Sequence, residues 1–277
     1  MANYSLSTSH IGHESQEWIK KLARFGFVAK GIIYVLLGIM AVMAAIGQGS
    51  TQEASKNGVA QLIFEQPFGR VLAILLVIGL AGYVIWRFVE AIMDPQGSGS
   101  DSKGMVKRIG YFISGLLYTG FAVSIIKQLI GSGGGSSNSQ QTWTAKLLEM
   151  EAGPFILIVI GLIIVASGIA QFIKAYKAKF KKHLRLEGVQ TETRKWITRI
   201  GKIGFTARGI VWLIVGYFII RAGMQSDASE VQGSQGAFSF LQQMSYGHWI
   251  LLVVAIGVTA YGVFQFVKAR YYQINLH

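Results

Sequence analysis

Six polar side chains stand at matching places inside long apolar stretches of this 277-residue sequence, and their types suggest recognition of an anion. Three lie six residues after a basic residue that opens an apolar stretch, and three lie near the end of the next stretch. The six are Lys30, Ser114, Arg208, Arg87, Gln171 and Gln265. Cations in an apolar setting attract an anionic solute or a lipid headgroup, so these residues form a candidate ligand layer.

An aromatic residue follows each member of the first three at a distance of four residues: Tyr34, Tyr118 and Trp212. Residues four apart share one face of a helix, one turn from each other. A tyrosine hydroxyl inside a membrane needs a hydrogen-bond partner. We therefore consider these three residues as a constriction beside the basic layer.

A second interpretation of the same residues is structural. Lys30, Arg87 and Arg208 can extend their charges to the headgroups while their stems stay in the apolar region. The aromatic residues then only fill space between helices, and the protein is a structural or interaction scaffold with no transport activity. Because the helices are apolar all round, the sequence leaves both interpretations open.

The apolar stretches themselves indicate an all-α integral membrane protein. Only 14% of the residues are charged and 52% are hydrophobic, whereas soluble chains carry about 25% charged residues. Six stretches are long enough to cross a hydrocarbon core of about 30 Å. They cover residues 25–47, 69–92, 109–130, 153–175, 203–223 and 247–268.

The basic residues predict the orientation of these helices. Eighteen Lys and Arg residues lie in or beside the N-terminal region, the second and fourth connections and the C-terminus, against Lys56 and Lys146 in the other connections. Cytoplasmic segments hold such an excess. We expect a multi-pass protein of the inner membrane with both termini cytoplasmic. Its expected partners are anionic lipid headgroups at that face, and we expect no nucleic acid.

A threefold internal repeat organises the chain. Arg24-Phe25-Gly26, Arg108-Ile109-Gly110 and Lys202-Ile203-Gly204 open the odd-numbered stretches, and the closing residue of each copy follows 63 positions later, at Arg87, Gln171 and Gln265. Each copy holds two spans, so all copies have one orientation, and we predict three parallel-oriented helical hairpins with pseudo-threefold order. The predicted parts are a tail (1–17), repeat 1 (18–95), a linker (96–107), repeat 2 (108–180), a basic connection (181–195), repeat 3 (196–272) and a tail (273–277).

These three helix pairs, with their basic-x-Gly-aromatic openings, resemble the bacterial membrane family catalogued as domain of unknown function 1206. The resemblance covers residues 18–272, and it implies the repeat architecture and no established activity. Ser114 departs from the basic residue found at this position in the other two copies, so a role for that residue need not be threefold.

Other chemistry finds little support in the sequence. Without cysteine there is no thiolate metal site, iron–sulfur cluster or disulfide. His10 and His13 have metal-ligand spacing, but a solvated tail is the preferred interpretation. We expect no enzyme, no cofactor and no metal. Glu90, three residues after Arg87, is expected to form an ion pair with it and not to serve as a proton relay.

Glycines at seven-residue spacing predict close contacts between helices. Gly31 and Gly38 share one helix face, as do Gly209 and Gly216. Small residues allow membrane helices to approach each other closely.

Overall fold

A computed structural model describes residues 13–95, 97, 99, 101–131 and 139–273 of the chain. Most of the predicted N-terminal tail with His10, parts of the first linker, the glycine-rich segment 132–138 and the end of the C-terminal tail lie outside the described residues. The side chain of His13 also lies outside them.

Six long helices form the molecule, and each is long and apolar enough to cross a membrane. The predicted class, an all-helical membrane protein with six spans, is therefore confirmed. The helices are α1 (His13–Ala45), α3 (Gly69–Ile92), α4 (Ser102–Leu129), α6 (Gly153–Tyr176), α7 (Thr191–Gln225) and α9 (Gly247–Tyr271).

Two of the six helices begin well before their apolar stretches. α1 has 33 residues and α7 has 35, so each is about 50 Å long at 1.5 Å per residue. The added turns are polar and carry ion pairs three residues apart, Lys20 to Glu17 at 2.9 Å and Lys195 to Glu192 at 2.7 Å. Such pairs stabilise helical turns that packing does not hold.

Three short helices precede the even-numbered spans: α2 (Lys56–Phe64), α5 (Ser139–Leu148) and α8 (Ser234–Gln243). We call their side of the molecule the loop side, and the opposite side, where α1 begins and α9 ends, the termini side. Each short helix ends a few residues before the glycine that starts the next span, at Gly69, Gly153 and Gly247. A methyl group on any of these glycines would overlap carbonyl groups at the end of the short helix. The corner after each short helix therefore requires glycine.

Contacts between successive repeats use the same pair of residue types three times. Gly31 of α1 faces the ring of Phe266 in α9, Gly115 of α4 faces Phe88 in α3, and Gly209 of α7 faces Phe172 in α6. A methyl group on these glycines would come within 2.7, 3.1 and 2.9 Å of the rings, respectively.

The predicted packing role of the spaced glycines is confirmed. Besides Gly31 and Gly209, Gly38 lies against Thr259 of α9, and Gly216 lies against Val165 of α6.

Contacts within a repeat differ among the copies. α1 packs against α3, and α7 packs against α9, but α4 and α6 share no packed interface in the described parts of the chain. A methyl group on Gly26 would overlap the backbone of Tyr83, and one on Gly204 would lie 2.6 Å from the Cα of Tyr261. At Gly110, the equivalent of these two glycines, a methyl group would meet no described atom within 4 Å. The two helices of the middle repeat are therefore separated.

Candidate functional site

Lys30 is buried inside the bundle, with only 2% of its surface exposed. Its Nζ donates a hydrogen bond of 2.6 Å to the hydroxyl of Tyr83 in α3. The ammonium also lies 4.4 Å from the ring centre of Tyr83 and 4.9 Å from that of Tyr118. Aromatic faces stabilise a cation that has lost its water. The side chain thus points inward, into a setting built from tyrosines.

Arg87 binds the same hydroxyl as Lys30 and connects it to a carboxylate. Its Nε donates to Tyr83 at 2.7 Å, and its guanidinium pairs with Glu90 at 2.5 Å. The predicted Arg87–Glu90 ion pair is confirmed. The hydroxyl of Tyr272, just beyond α9, donates to the other oxygen of Glu90 at 2.8 Å, so this buried carboxylate has partners from two helical hairpins.

Arg208 repeats the arrangement of Lys30 in the third repeat. Its guanidinium donates to the hydroxyl of Tyr261 in α9 at 2.7 Å, and it lies 4.6 Å from the ring centre of Trp212. The ring centres of Tyr34 and Tyr261 are 4.8 Å apart. The Nε of Arg208 is buried without a hydrogen-bond partner among the described atoms. This guanidinium therefore has donor capacity left over.

Two of the three predicted aromatic residues come together inside the bundle, whereas Trp212 is half-buried beside Arg208. Tyr34 and Tyr118 are buried, and their hydroxyls lie 3.4 Å apart. From the loop side, Lys56 of α2 places its ammonium 4.4 Å from the ring centre of Tyr118. Burial lowers the pKa of Lys56, and the nearby Arg208 lowers it further, because both disfavour its charged form.

Two more lysines extend the group toward the termini side. Lys268 lies 4.1 Å from the ring centre of Phe27 and 4.5 Å from that of Tyr272. Lys174 lies on α6 two residues after Phe172, whose ring faces Gly209 next to Arg208. We call these cations together the basic cluster. It consists of Lys30, Lys56, Arg87, Lys174, Arg208 and Lys268.

The basic cluster holds far more positive than negative charge. The six long helices carry four acidic residues, of which three lie at the starts of α1 and α7 and only Glu90 lies further inside. Six basic side chains and one carboxylate leave a formal excess of five positive charges when all are ionised. Unpaired charge is costly to bury, and an anion bound among these side chains would offset that cost.

The remaining predicted residues have unequal surroundings. Gln171 and Gln265 are buried, and the Oε1 atom of each has no hydrogen-bond partner among the described atoms. Ser114 is partly exposed on α4. Buried polar atoms are nearly always paired in proteins, so the two glutamines have polar capacity that no described residue uses.

Tyr83 and Tyr261 are residues of the candidate site that the sequence analysis did not single out. They occupy the same position in repeats 1 and 3, each four residues before a predicted layer residue. Each accepts a hydrogen bond from the cation 53 residues earlier. The repeated separation of 53 residues between a cation and a tyrosine could have indicated these pairs from the sequence. In repeat 2, Ser114 and Ser167 have the same separation.

The end of the chain closes the termini side of the site. Tyr272 forms an isolated antiparallel bridge with Leu184, and the amide of Arg185 donates to the carbonyl of Tyr271 at 2.7 Å. The ring of Tyr272 lies against Phe27 and Trp86. Burial and the adjacent Glu90 carboxylate raise the pKa of Tyr272 well above its usual value, because both disfavour a phenolate.

The helices and this site define a polytopic helical membrane protein made of tandem repeats. The chain belongs to the family described as Domain of Unknown Function (DUF1206), which matches it three times, at residues 25–94, 109–178 and 203–272. The three tandem repeats predicted from the sequence are thereby confirmed. The chain is 34% identical over 263 residues to an uncharacterized protein, YxxB, of Bacillus subtilis (strain 168), covering 95% of this chain and 94% of that protein. No solved structure matches the chain.

Proposed function

We propose that this protein is a non-enzymatic membrane protein that binds a small anionic group at the basic cluster. The observation that carries the proposal is the crowding of cations inside the bundle, where the ammonium groups of Lys30 and Lys56 lie 4.9 and 4.4 Å from the ring centre of Tyr118. Glu90 is the one carboxylate further inside the long helices. The Nε of Arg208 supports the proposal, because this donor is buried and has no hydrogen-bond partner among the described residues.

The proposal includes an arrangement of the repeats. Three parallel-oriented hairpins surround an axis along the membrane normal with pseudo-threefold order, and the basic cluster lies near that axis. The equivalent contacts of Gly31, Gly115 and Gly209 with Phe266, Phe88 and Phe172 support this order. The protein lies in the bacterial inner membrane with its termini in the cytoplasm, as the basic residues of the termini side favour, and anionic lipids of that leaflet are its partners.

A structural scaffold is the alternative function. The observation that favours it is that Lys30, Arg87 and Arg208 each already donate to a tyrosine hydroxyl of the bundle. In that case the cations only hold helices together.

Anion binding distinguishes the two functions. The full chain is purified in a neutral detergent and titrated with inorganic phosphate, with thermal stabilisation as the readout. We expect binding by the wild type and a loss of about tenfold or more in affinity for Arg208→Met, as follows from removing a charge-assisted hydrogen bond. The matched control is Lys127→Met, which removes an exposed lysine of α4 outside the cluster.

Equal phosphate affinity in wild type and Arg208→Met, or no binding by either, would support the scaffold. Flux measurements on liposomes then show whether a bound anion also crosses the membrane. Conduction predicts that wild-type protein releases phosphate from loaded vesicles faster than Arg208→Met does. If vesicles with wild-type protein and vesicles with Arg208→Met release phosphate equally, and no faster than loaded vesicles without protein, conduction is excluded. The proposed anion binding is not affected by that result.

A further inference from the structure

The middle repeat lacks the features that join the two helices of the other repeats. Lys30 binds Tyr83, and Arg208 binds Tyr261, across the helix pair. At the same positions of repeat 2 stand Ser114 and Ser167. The hydroxyl of Ser167 donates instead to the carbonyl of Ile163 in its own helix, at 2.8 Å, so no cation–tyrosine bond holds α4 to α6.

Side-chain size also keeps α4 and α6 apart. Gly79 and Gly257 allow close approach to Ala29 and Ala207 in repeats 1 and 3. The equivalent of these glycines in repeat 2 is Ile163, which is half exposed. A branched side chain at a close helix crossing prevents the backbones from approaching.

Exposure at matched positions reveals the resulting opening. Ile33 of α1 is 0% exposed and Val211 of α7 is 8% exposed, whereas Leu117, at the same repeat position of α4, is 62% exposed. On the facing helix, Leu76 and Val254 are buried, and the equivalent Ile160 of α6 is 38% exposed. The helix faces that are buried between the two helices of repeats 1 and 3 are therefore exposed on α4 and α6 of the middle repeat.

A basic residue stands beside this opening. Glu90, Lys174 and Lys268 occupy one repeat position, 66 residues after the opening residue of each copy. Glu90 is buried and Lys268 is half-buried, but Lys174 is exposed. Lys174 stands two residues after Phe172, whose ring faces Gly209 next to Arg208 of the basic cluster. It thus connects the cluster to the surface of α6 on the termini side.

We propose that the gap between α4 and α6 is a lateral opening through which the headgroup of an anionic phospholipid reaches the basic cluster from the bilayer. The inference rests on the proposed anion-binding function and names the source of the anion. A lipid fits both parts of the opening, because its chains match the apolar residues Leu117 and Ile160 while its phosphate matches Lys174 and Arg208. Anionic headgroups gather where basic residues lie at the membrane surface.

A reversible closure of the opening tests this inference. The chain has no cysteine, so Ile113→Cys/Ile163→Cys introduces one defined pair. These positions correspond to Ala29 and Gly79, where a methyl group on the glycine would lie 2.6 Å from the alanine Cβ. A middle repeat that closes like the first would bring the two cysteines within disulfide range. Leu117→Trp, which fills the gap, is a second variant that needs no disulfide.

The readout is native mass spectrometry with short-chain phosphatidylglycerol or, as the neutral probe, short-chain phosphatidylcholine. We expect the reduced protein to prefer phosphatidylglycerol, and oxidation to lower its binding about tenfold, a change of about 1.4 kcal/mol. Reduction restores the binding of phosphatidylglycerol. Leu117→Trp and Lys174→Met weaken this binding similarly, and Lys127→Met does not. Inorganic phosphate has no acyl chains to admit through the gap, so we expect it to bind equally in the oxidised and reduced states.

Other outcomes separate the two proposals. Phosphatidylglycerol binding that survives both oxidation and Leu117→Trp overturns the lateral opening, and unchanged phosphate binding in the same samples leaves the proposed function standing. If the wild type binds phosphate but not phosphatidylglycerol, only the lateral opening is overturned, and if it binds neither of them, both proposals are overturned. A disulfide that forms between two chains, with a dimeric mass and no bound lipid, shows that a second copy occupies the gap and overturns the lipid proposal.

Discussion

Lys30 and Tyr83 are 53 residues apart in the chain, and their Nζ and hydroxyl oxygen lie 2.6 Å apart inside the bundle. Arg208 and Tyr261 repeat this relationship at the same separation and at 2.7 Å. Both pairs join the first helix of a repeat to its second helix. The cation therefore serves as a helix contact and as part of the basic cluster, and substitutions can separate these two roles.

Lys30→Met should preserve the fold and weaken anion binding. A methionine fills a similar volume and removes a buried charge that has no carboxylate partner, which is costly to hold in an apolar setting. We expect an unchanged or higher free energy of unfolding in mixed detergent–SDS micelles, together with weaker phosphate binding. A variant that unfolds more easily yet binds phosphate normally would show that Lys30 is purely structural.

Loss of Arg87 should destabilise the protein because it leaves Glu90 buried without its cation. Removing one partner of a buried ion pair costs about 3–5 kcal/mol. We expect Arg87→Met to lower the free energy of unfolding by this amount and the double variant Arg87→Met/Glu90→Leu to recover most of it. The double-mutant cycle measures the coupling. If the double variant loses the sum of the unfolding free energies lost by the two single variants, the ion pair contributes nothing to stability.

Equivalent glycines should respond differently to the same substitution. Gly26→Ala places a methyl group against the backbone of Tyr83, and overpacking of this kind costs about 1–3 kcal/mol. Gly110→Ala is the matched control, because the added methyl group meets no described atom within 4 Å. It should be neutral or stabilise α4 by up to about 1 kcal/mol. Equal losses at both positions would contradict the separation of α4 from α6.

Alkaline pH should weaken the stabilisation that Tyr272 gives to the folded protein. Its pKa is raised in the folded protein by burial and by the Glu90 carboxylate, while Arg87 opposes the shift. The neutral phenol is therefore favoured in the folded state. The contribution of Tyr272 to stability is fully present below about pH 10, the pKa of tyrosine in an unfolded chain. This contribution is lost as the pH rises toward the higher pKa of Tyr272 in the folded protein.

Tyr272→Phe tests this pH dependence. At neutral pH it removes a hydrogen bond to a charged group and should cost about 1.5–3 kcal/mol. Above pH 10 the difference in unfolding free energy between wild type and variant should shrink. A difference that stays constant up to the highest pH at which both proteins fold would contradict the assignment.

Cysteine labelling tests the predicted orientation. Ser50 lies in the connection between α1 and α2, Glu187 lies between α6 and α7, and both are exposed. With both termini cytoplasmic, a membrane-impermeant maleimide should label Ser50→Cys in intact cells and Glu187→Cys only after permeabilisation. The unmodified chain, which has no cysteine, is the control. The opposite labelling pattern would invert the topology.

The repeat pattern predicted much of the candidate site. The positions of Lys30, Arg87 and Arg208 follow from register alone, and so does the ion pair with Glu90, because residues three apart meet on a helix. The partners Tyr83 and Tyr261 lie on other helices. Only the packing of α3 against α1 and of α9 against α7 brings them to the cations.

By itself, the sequence determined the class of protein, the number of spans and the three tandem repeats, because apolar length and repeat register are local properties of the chain. It left undetermined whether the basic side chains point to lipid or into the bundle, since helices that are apolar all round have no distinguishing face. The tertiary structure decided that point for Lys30, whose charge lies among tyrosines of two other helices. It also decided that the middle repeat is open, because that difference depends on how closely two helix backbones approach.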